Sequence, residues 1–133
     1  MANELDEKGL AVRAQLWGEE SLQPGNQYLR NFDEDFASFL NNQLFGGIWS
    51  RPGLPMQTRS IITMAVLMAL GRSPELKLHM TGAVNIGVSS QEIKELIIHV
   101  SQYSGLPTAM EAIRIYNEVT EKGSRLSAWS QRS

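Results

Sequence analysis

A glutamate and a histidine, Glu75 and His79, stand four residues apart in the run "SPELKLHMTGAV". On a helix that spacing puts both side chains on one face. A carboxylate bonded to one imidazole nitrogen holds a single tautomer and raises the basicity of the other, which is the arrangement of a general acid–base pair. The same spacing also describes a solvated ion pair or a satisfied histidine. Leu76, Leu78, Met80 and Ala83 surround His79 and favour a partly buried imidazole. A second polar pair, His99 and Tyr103 in "LIIHVSQY", has the same spacing and reads equally as a helix edge. Three arginines stand at element borders: Arg51 and Arg59 in "IWSRPGLPMQTRS", and Arg72 just before the Glu75–His79 run. Each alone is ordinary surface. Together they could receive an anion, because a guanidinium stays charged and grips carboxylates bidentately.

Other chemistries are excluded or disfavoured. The chain has no cysteine, so disulfides, thiol catalysis and thiolate metal sites are impossible. Two histidines among scattered acids make a poor metal site, and no metal is expected. Phosphate-cradling glycine loops and the H-E-x-x-H zinc pattern are absent. A net charge of −2 without a basic run argues against nucleic acid. The acidic start "MANELDEKGL" does not read as a leader. The apolar run Ile61 to Leu70 is too short to span a bilayer. The expected location is cytoplasmic.

The elements that must position these residues read as an all-α domain of about six helices, with one domain expected over residues 1–133. Residues 4–17 form a weakly amphipathic helix. In "NFDEDFASFLNNQLFGG", Phe32, Phe36, Phe39 and Leu40 share one helical face, with Asn31 as cap, Glu34 at the third position and Gly46-Gly47 as the stop. Pro55 suits the first turn of a helix running to about Leu70. Ser73-Pro74-Glu75 reads as cap, proline and first-turn acid of the next, which ends near Gly87. Ser89 and Glu92 form a capping box for a helix ending at Gly105, and Pro107 opens the last. Residues 122–133 read as a polar tail that is loose or contacts a partner. The helix through Ile61 to Leu70 is apolar all round. A helix of that kind must be buried on every side, so the chain is expected to oligomerise.

The motifs W-x-R-P-G-L-P (from Trp49), E-L-x-x-H (Glu75 to His79), N-x-G-V (from Asn85) and Y-x-G-x-P (from Tyr103) occur in that order. In order and spacing they resemble the γ-carboxymuconolactone decarboxylase family of protocatechuate breakdown, over about residues 20–120. The resemblance implies an alkyl hydroperoxidase D-like helical fold, assembled as a homo-oligomer that is usually a hexameric ring. The peroxidase branch of that fold carries C-x-x-C-x-x-x-H, where this chain has Arg72, Glu75 and His79. The arginine–glutamate–histidine pattern is that of the decarboxylase branch. Close decarboxylases often read Y-C-G where Tyr103-Ser104-Gly105 stand here.

The implied substrate is a small anionic lactone, 4-carboxymuconolactone, converted to β-ketoadipate enol-lactone. Its lactone carbonyl accepts the electrons released with carbon dioxide, so no cofactor is implied. Carried over residue by residue, His79 is the general acid and Glu75 orients it. Arg51 and Arg59 bind a carboxylate or the enolate oxygen, and Arg72, Trp49 and Tyr103 line the substrate site. Two other readings stand beside this one. The first is a decarboxylase, isomerase or cyclase of the same fold acting on another lactone or natural-product acid; the second is a non-catalytic assembly protein. A cofactor-free site makes a direct test: activity on the lactone should survive exhaustive dialysis against a chelator. Loss that one added metal restores would show a metal site.

Overall fold

The computed structural model describes residues 3–120, and the expected polar tail lies outside the described residues. Among them the fold is all helical, without strands. Seven α-helices follow in order: α1 Glu4–Trp17, α2 Leu22–Phe32, α3 Glu34–Phe39, α4 Met56–Leu70, α5 Ser73–Asn85, α6 Ser90–Ser104 and α7 Leu106–Thr120. A 3₁₀ turn, Glu19–Ser21, leads into α2, and a π-helix, Leu40–Ile48, continues α3. The chain divides into two compact units, Met1–Arg59 and Ser60–Ser133. No helix among the described residues is long and apolar enough to cross a membrane.

In the first unit, α1 starts with a reciprocal cap. The Asn3 side chain accepts from the Asp6 amide at 2.8 Å, and the Asp6 carboxylate accepts from the Asn3 amide at 3.3 Å. Sequence reading places one helix from a cap at Asn31; the structure instead has two helices broken at Asp33. Asp33 is extended (φ −170°), and its carboxylate accepts the Phe36 amide at 2.8 Å. Two features allow the extra helix α2. Pro24 falls in its first turn, where no intrahelical N–H is needed, and the Asp33 side chain caps the new start. Phe32, Phe36 and Phe39 are therefore split between two helices, and Phe32 and Phe39 are 78% and 62% exposed. Gly46 and Gly47 do not stop a helix but lie inside the π-helix.

The second unit packs α4 to α7 around one core, built on Met64, Met68, Leu76, Met80, Ile93 and Ile115. The α4 helix buries Met64 and Met68 here but leaves Ile62, Val66 and Leu70 at 47%, 50% and 64% exposure. Within one chain, then, it is not covered on every side as its composition demands. At the start of α5 the cap is Arg72, not Ser73, which is already the first helical residue. Ser73 shares a crevice with Glu111 of α7, whose carboxylate is held below the usual range first by Arg114 and then by the Ser73 side chain. The Ser89–Glu92 capping box of α6 forms as read, with mutual bonds of 2.9 and 3.0 Å. Gly105 ends α6 at φ 97°, a region only glycine enters freely. Ser89→Ala removes the hydroxyl half of that box and should cost about 1 kcal/mol, read as a lowered urea midpoint with an unchanged slope.

Candidate active site

The α5 helix is turned by its apolar positions. Leu76, Met80 and Ala83, at i, i+4 and i+7, are 2%, 0% and 0% exposed. Glu75 and His79 each precede one of these residues and so lie along the flank of the buried stripe. Full burial of a large apolar side chain is worth roughly 1.5–3 kcal/mol, against a fraction of a kcal/mol for an exposed i,i+4 charge pair. Packing, not the polar pair, therefore sets the rotation of this helix. The outcome is asymmetric: Glu75 is exposed and His79 half-buried.

That asymmetry decides the charge of His79. Burial lowers its pKa below the ordinary histidine value, and the Glu75 carboxylate opposes the shift without cancelling it. The imidazole of the free protein is therefore mainly neutral at pH 7. The unfolded chain binds this proton more tightly than the folded one. The contribution of His79 to stability is thus whole above pH about 6.5 and is lost as pH falls through the depressed value. Arg72, at the head of the same helix, is exposed. Its amide bonds the Leu67 carbonyl at 2.9 Å, and its carbonyl accepts the Leu76 amide at 2.8 Å. Arg72 also borders a narrow crevice with Ser73, Leu76, Thr108 and Glu111.

Tyr103, near the end of α6, is 83% exposed, and its ring centroid lies 5.5 Å from that of His99. Ser104 bonds the Val100 carbonyl at 3.1 Å and lies 2.6 Å from the Thr108 hydroxyl. The contact with Thr108 ties the end of α6 to the start of α7.

The other predicted residues lie in the first unit. Trp49 is 5% exposed, with its ring centroid 6.0 Å from that of Phe45. Arg51 is exposed, and its amide bonds the Ile48 carbonyl at 3.1 Å. Arg59 is half-buried and donates from its side chain to the Arg51 backbone carbonyl at 3.2 Å, which closes the Pro52–Pro55 turn. The structure therefore links the Arg59 side chain to the Arg51 backbone, places Glu75 where its charge acts on His79, and sets Tyr103 beside His99. No group of three or more potential metal-ligating His, Asp or Glu side chains occurs among the described residues.

Sequence reasoning passed over two polar residues. Glu111 of α7 lines the crevice beside Ser73 at the start of α5, a tertiary placement with no local signature. Arg13 is 6% exposed on α1 and bonds Asn26 and Asn41 at 2.7 and 3.2 Å. Its signal was present: Gly9, Val12, Arg13 and Leu16 share one helical register, so a cation stands among core positions.

The family model for carboxymuconolactone decarboxylases matches residues 34–118. A 4-carboxymuconolactone decarboxylase of Acinetobacter baylyi is 45% identical over 112 residues, 84% of each chain. A nitrosuccinic acid decarboxylase of Metarhizium robertsii is 30% identical over 123 residues, 90% of this chain and 86% of that one. The matched span contains the arginine turn, the Glu75–His79 pair and Tyr103, and this chain belongs to the carboxymuconolactone decarboxylase family.

Proposed function

We propose that this protein decarboxylates 4-carboxymuconolactone to β-ketoadipate enol-lactone without a cofactor, in the cytoplasm. The observation that carries the reading is the 45% identity, over 84% of both chains, to a relative named for that activity. The site chemistry agrees with it. The substrate bears two carboxylates and an unsaturated lactone. As the ring carboxylate leaves as carbon dioxide, its bonding pair moves through the ring double bond onto the lactone carbonyl oxygen. A proton delivered to the carbon beside that carbonyl then completes the enol-lactone. The electron acceptor belongs to the substrate, so the protein must bind an anion, stabilise an oxyanion and supply a proton.

Arg51 and Arg59 take the carboxylate or the enolate oxygen, and Trp49 contributes to the substrate site. His79 is the proton donor, and Glu75 orients it. Arg72 and Tyr103 complete the substrate contacts. A mainly neutral His79 in the free protein gains its proton as the dianion binds, because nearby negative charge raises an imidazole's pKa. A second reading keeps decarboxylation and changes the acid, since the Metarhizium relative is named for nitrosuccinic acid. Turnover of each acid, side by side, separates the two. The exposed stripe Ile62, Val66 and Leu70 is the face that another copy of the chain would cover, and the assembly is a hexamer.

Loss of the lactone's ultraviolet absorbance measures the reaction. His79→Asn should lower kcat by roughly a hundred- to ten-thousandfold with KM little changed. Glu75→Gln should cost less, and Arg51→Lys should raise KM instead. Wild-type turnover in His79→Asn would move the proton donor elsewhere, with Tyr103 next to test. The pH profile follows from the direction of the His79 shift. kcat/KM should fall as pH rises, with a midpoint below the ordinary value of about 6.5. Glu75→Gln removes the one effect that raises this pKa and should move the midpoint lower still. Sedimentation should find an oligomer at micromolar concentration; a stable monomer would remove the assembly claim.

A further inference from the structure

The π-helix Leu40–Ile48 is nine residues long, whereas such elements are mostly single-turn bulges that cluster at functional sites. A segment of this kind needs support from its neighbours, and here the support is α1. The two backbones approach so closely that a Cβ on Gly9 would lie 2.2 Å from the Asn41 carbonyl oxygen. A Cβ on Gly46 would lie 2.1 Å from the Leu5 carbonyl oxygen. The Asn41 side-chain amide donates to the Asp6 carbonyl at 3.1 Å. Arg13 donates from one nitrogen to Asn41 at 3.2 Å and to Asn26 at 2.7 Å, and its guanidinium stands 5.9 Å from the Phe45 ring centroid. Burial of this cation is thus offset by two amides and a ring. α1 lies wholly outside the span that the family model matches.

Downstream of the π-helix there is little slack. Its i→i+5 pattern runs on to the Trp49 amide, which bonds the Leu44 carbonyl at 2.9 Å. The Ser50 hydroxyl bonds the Gly46 carbonyl, the Arg51 amide bonds Ile48, and Arg59 bonds the Arg51 carbonyl. A π turn carries more residues than an α turn. Relaxing Leu40–Ile48 to the α form would therefore rotate and shift Trp49 and Arg51 together.

We infer that Gly9, Arg13 and Asn41 form a latch that holds Leu40–Ile48 in its π register and thereby sets where Trp49 and Arg51 are presented. They are positioning residues for anion binding. The catalytic consequence rests on the proposed role of Arg51; the structural one does not. The test uses full-length Gly9→Ala and Arg13→Lys, the second keeping the charge and stem while reaching only one amide, should the first fail to fold. Amide exchange by mass spectrometry over residues 40–51 is measured beside steady-state kinetics on 4-carboxymuconolactone. Exchange should rise in that segment. KM should rise on the order of tenfold to a hundredfold, the scale of a roughly 1 Å misplacement, while kcat and the His79 pH midpoint stay near wild type. A merely structural role would reduce the active fraction and leave KM in place. Unchanged exchange overturns the latch, and raised exchange with an unchanged KM overturns its positioning role in anion binding. Should the wild-type protein fail to turn over the lactone, the proposed function falls. The latch then stands if exchange at Trp49–Arg51 rises in the variants, and falls if it does not.

Discussion

Burial of Leu76 and Met80 against the second unit's core is the constraint on which the chemistry of α5 depends. These side chains contribute several times the energy of the polar pair beside them, so they decide which way the helix faces. Once they are buried, the 3.6-residue period leaves Glu75 and His79 no choice of position. Glu75 stays exposed to water, and His79 sits partly desolvated one turn on. A histidine so placed titrates below its ordinary range and responds to any charge brought near it. The lowered pKa of His79 is thus a by-product of apolar packing, opposed by a carboxylate.

The arginine side is built on a different principle. In the first unit two backbones meet where glycines remove the side chains that would keep them apart. Such contacts are short and unforgiving, and they suit an element whose register must not drift. The buried Arg13 supplies direction as well as adhesion, because a planar guanidinium bonds two amides only in a fixed geometry. The surface ion pairs, Lys8 with Glu4 and Arg30 with Glu34, are exposed and add little. The arginine turn is held by backbone contact and buried polar bonds, and His79 by a hydrophobic core.

Much of this was legible in the chain. Local signals were sufficient wherever a local bond decides the outcome: the Ser89–Glu92 box, the glycine at the end of α6, and the extent of α1 and α4. The spacing of Glu75 and His79 was enough to put them on one face, because any helix with that register does so. The absence of cysteine excluded thiol chemistry outright, and the order of four short motifs pointed to the family. Where sequence reasoning went wrong, local rules competed with one another or lost to tertiary contact. Asn31 and Asp33 are both good caps, and only the folded backbone shows that Asp33 takes the role. Gly46 and Gly47 have the composition of a helix stop, yet Gly46 is small because another backbone passes over it. Arg13 shares the register of core residues, but its partners come from residues 26 and 41, too distant in sequence for any spacing to reveal. The sequence by itself determined which residues could share a face and which chemistries were open. The tertiary structure alone decided the depth of His79, the π register before Arg51 and the burial of Arg13, because each depends on what packs alongside rather than on what precedes it in the chain.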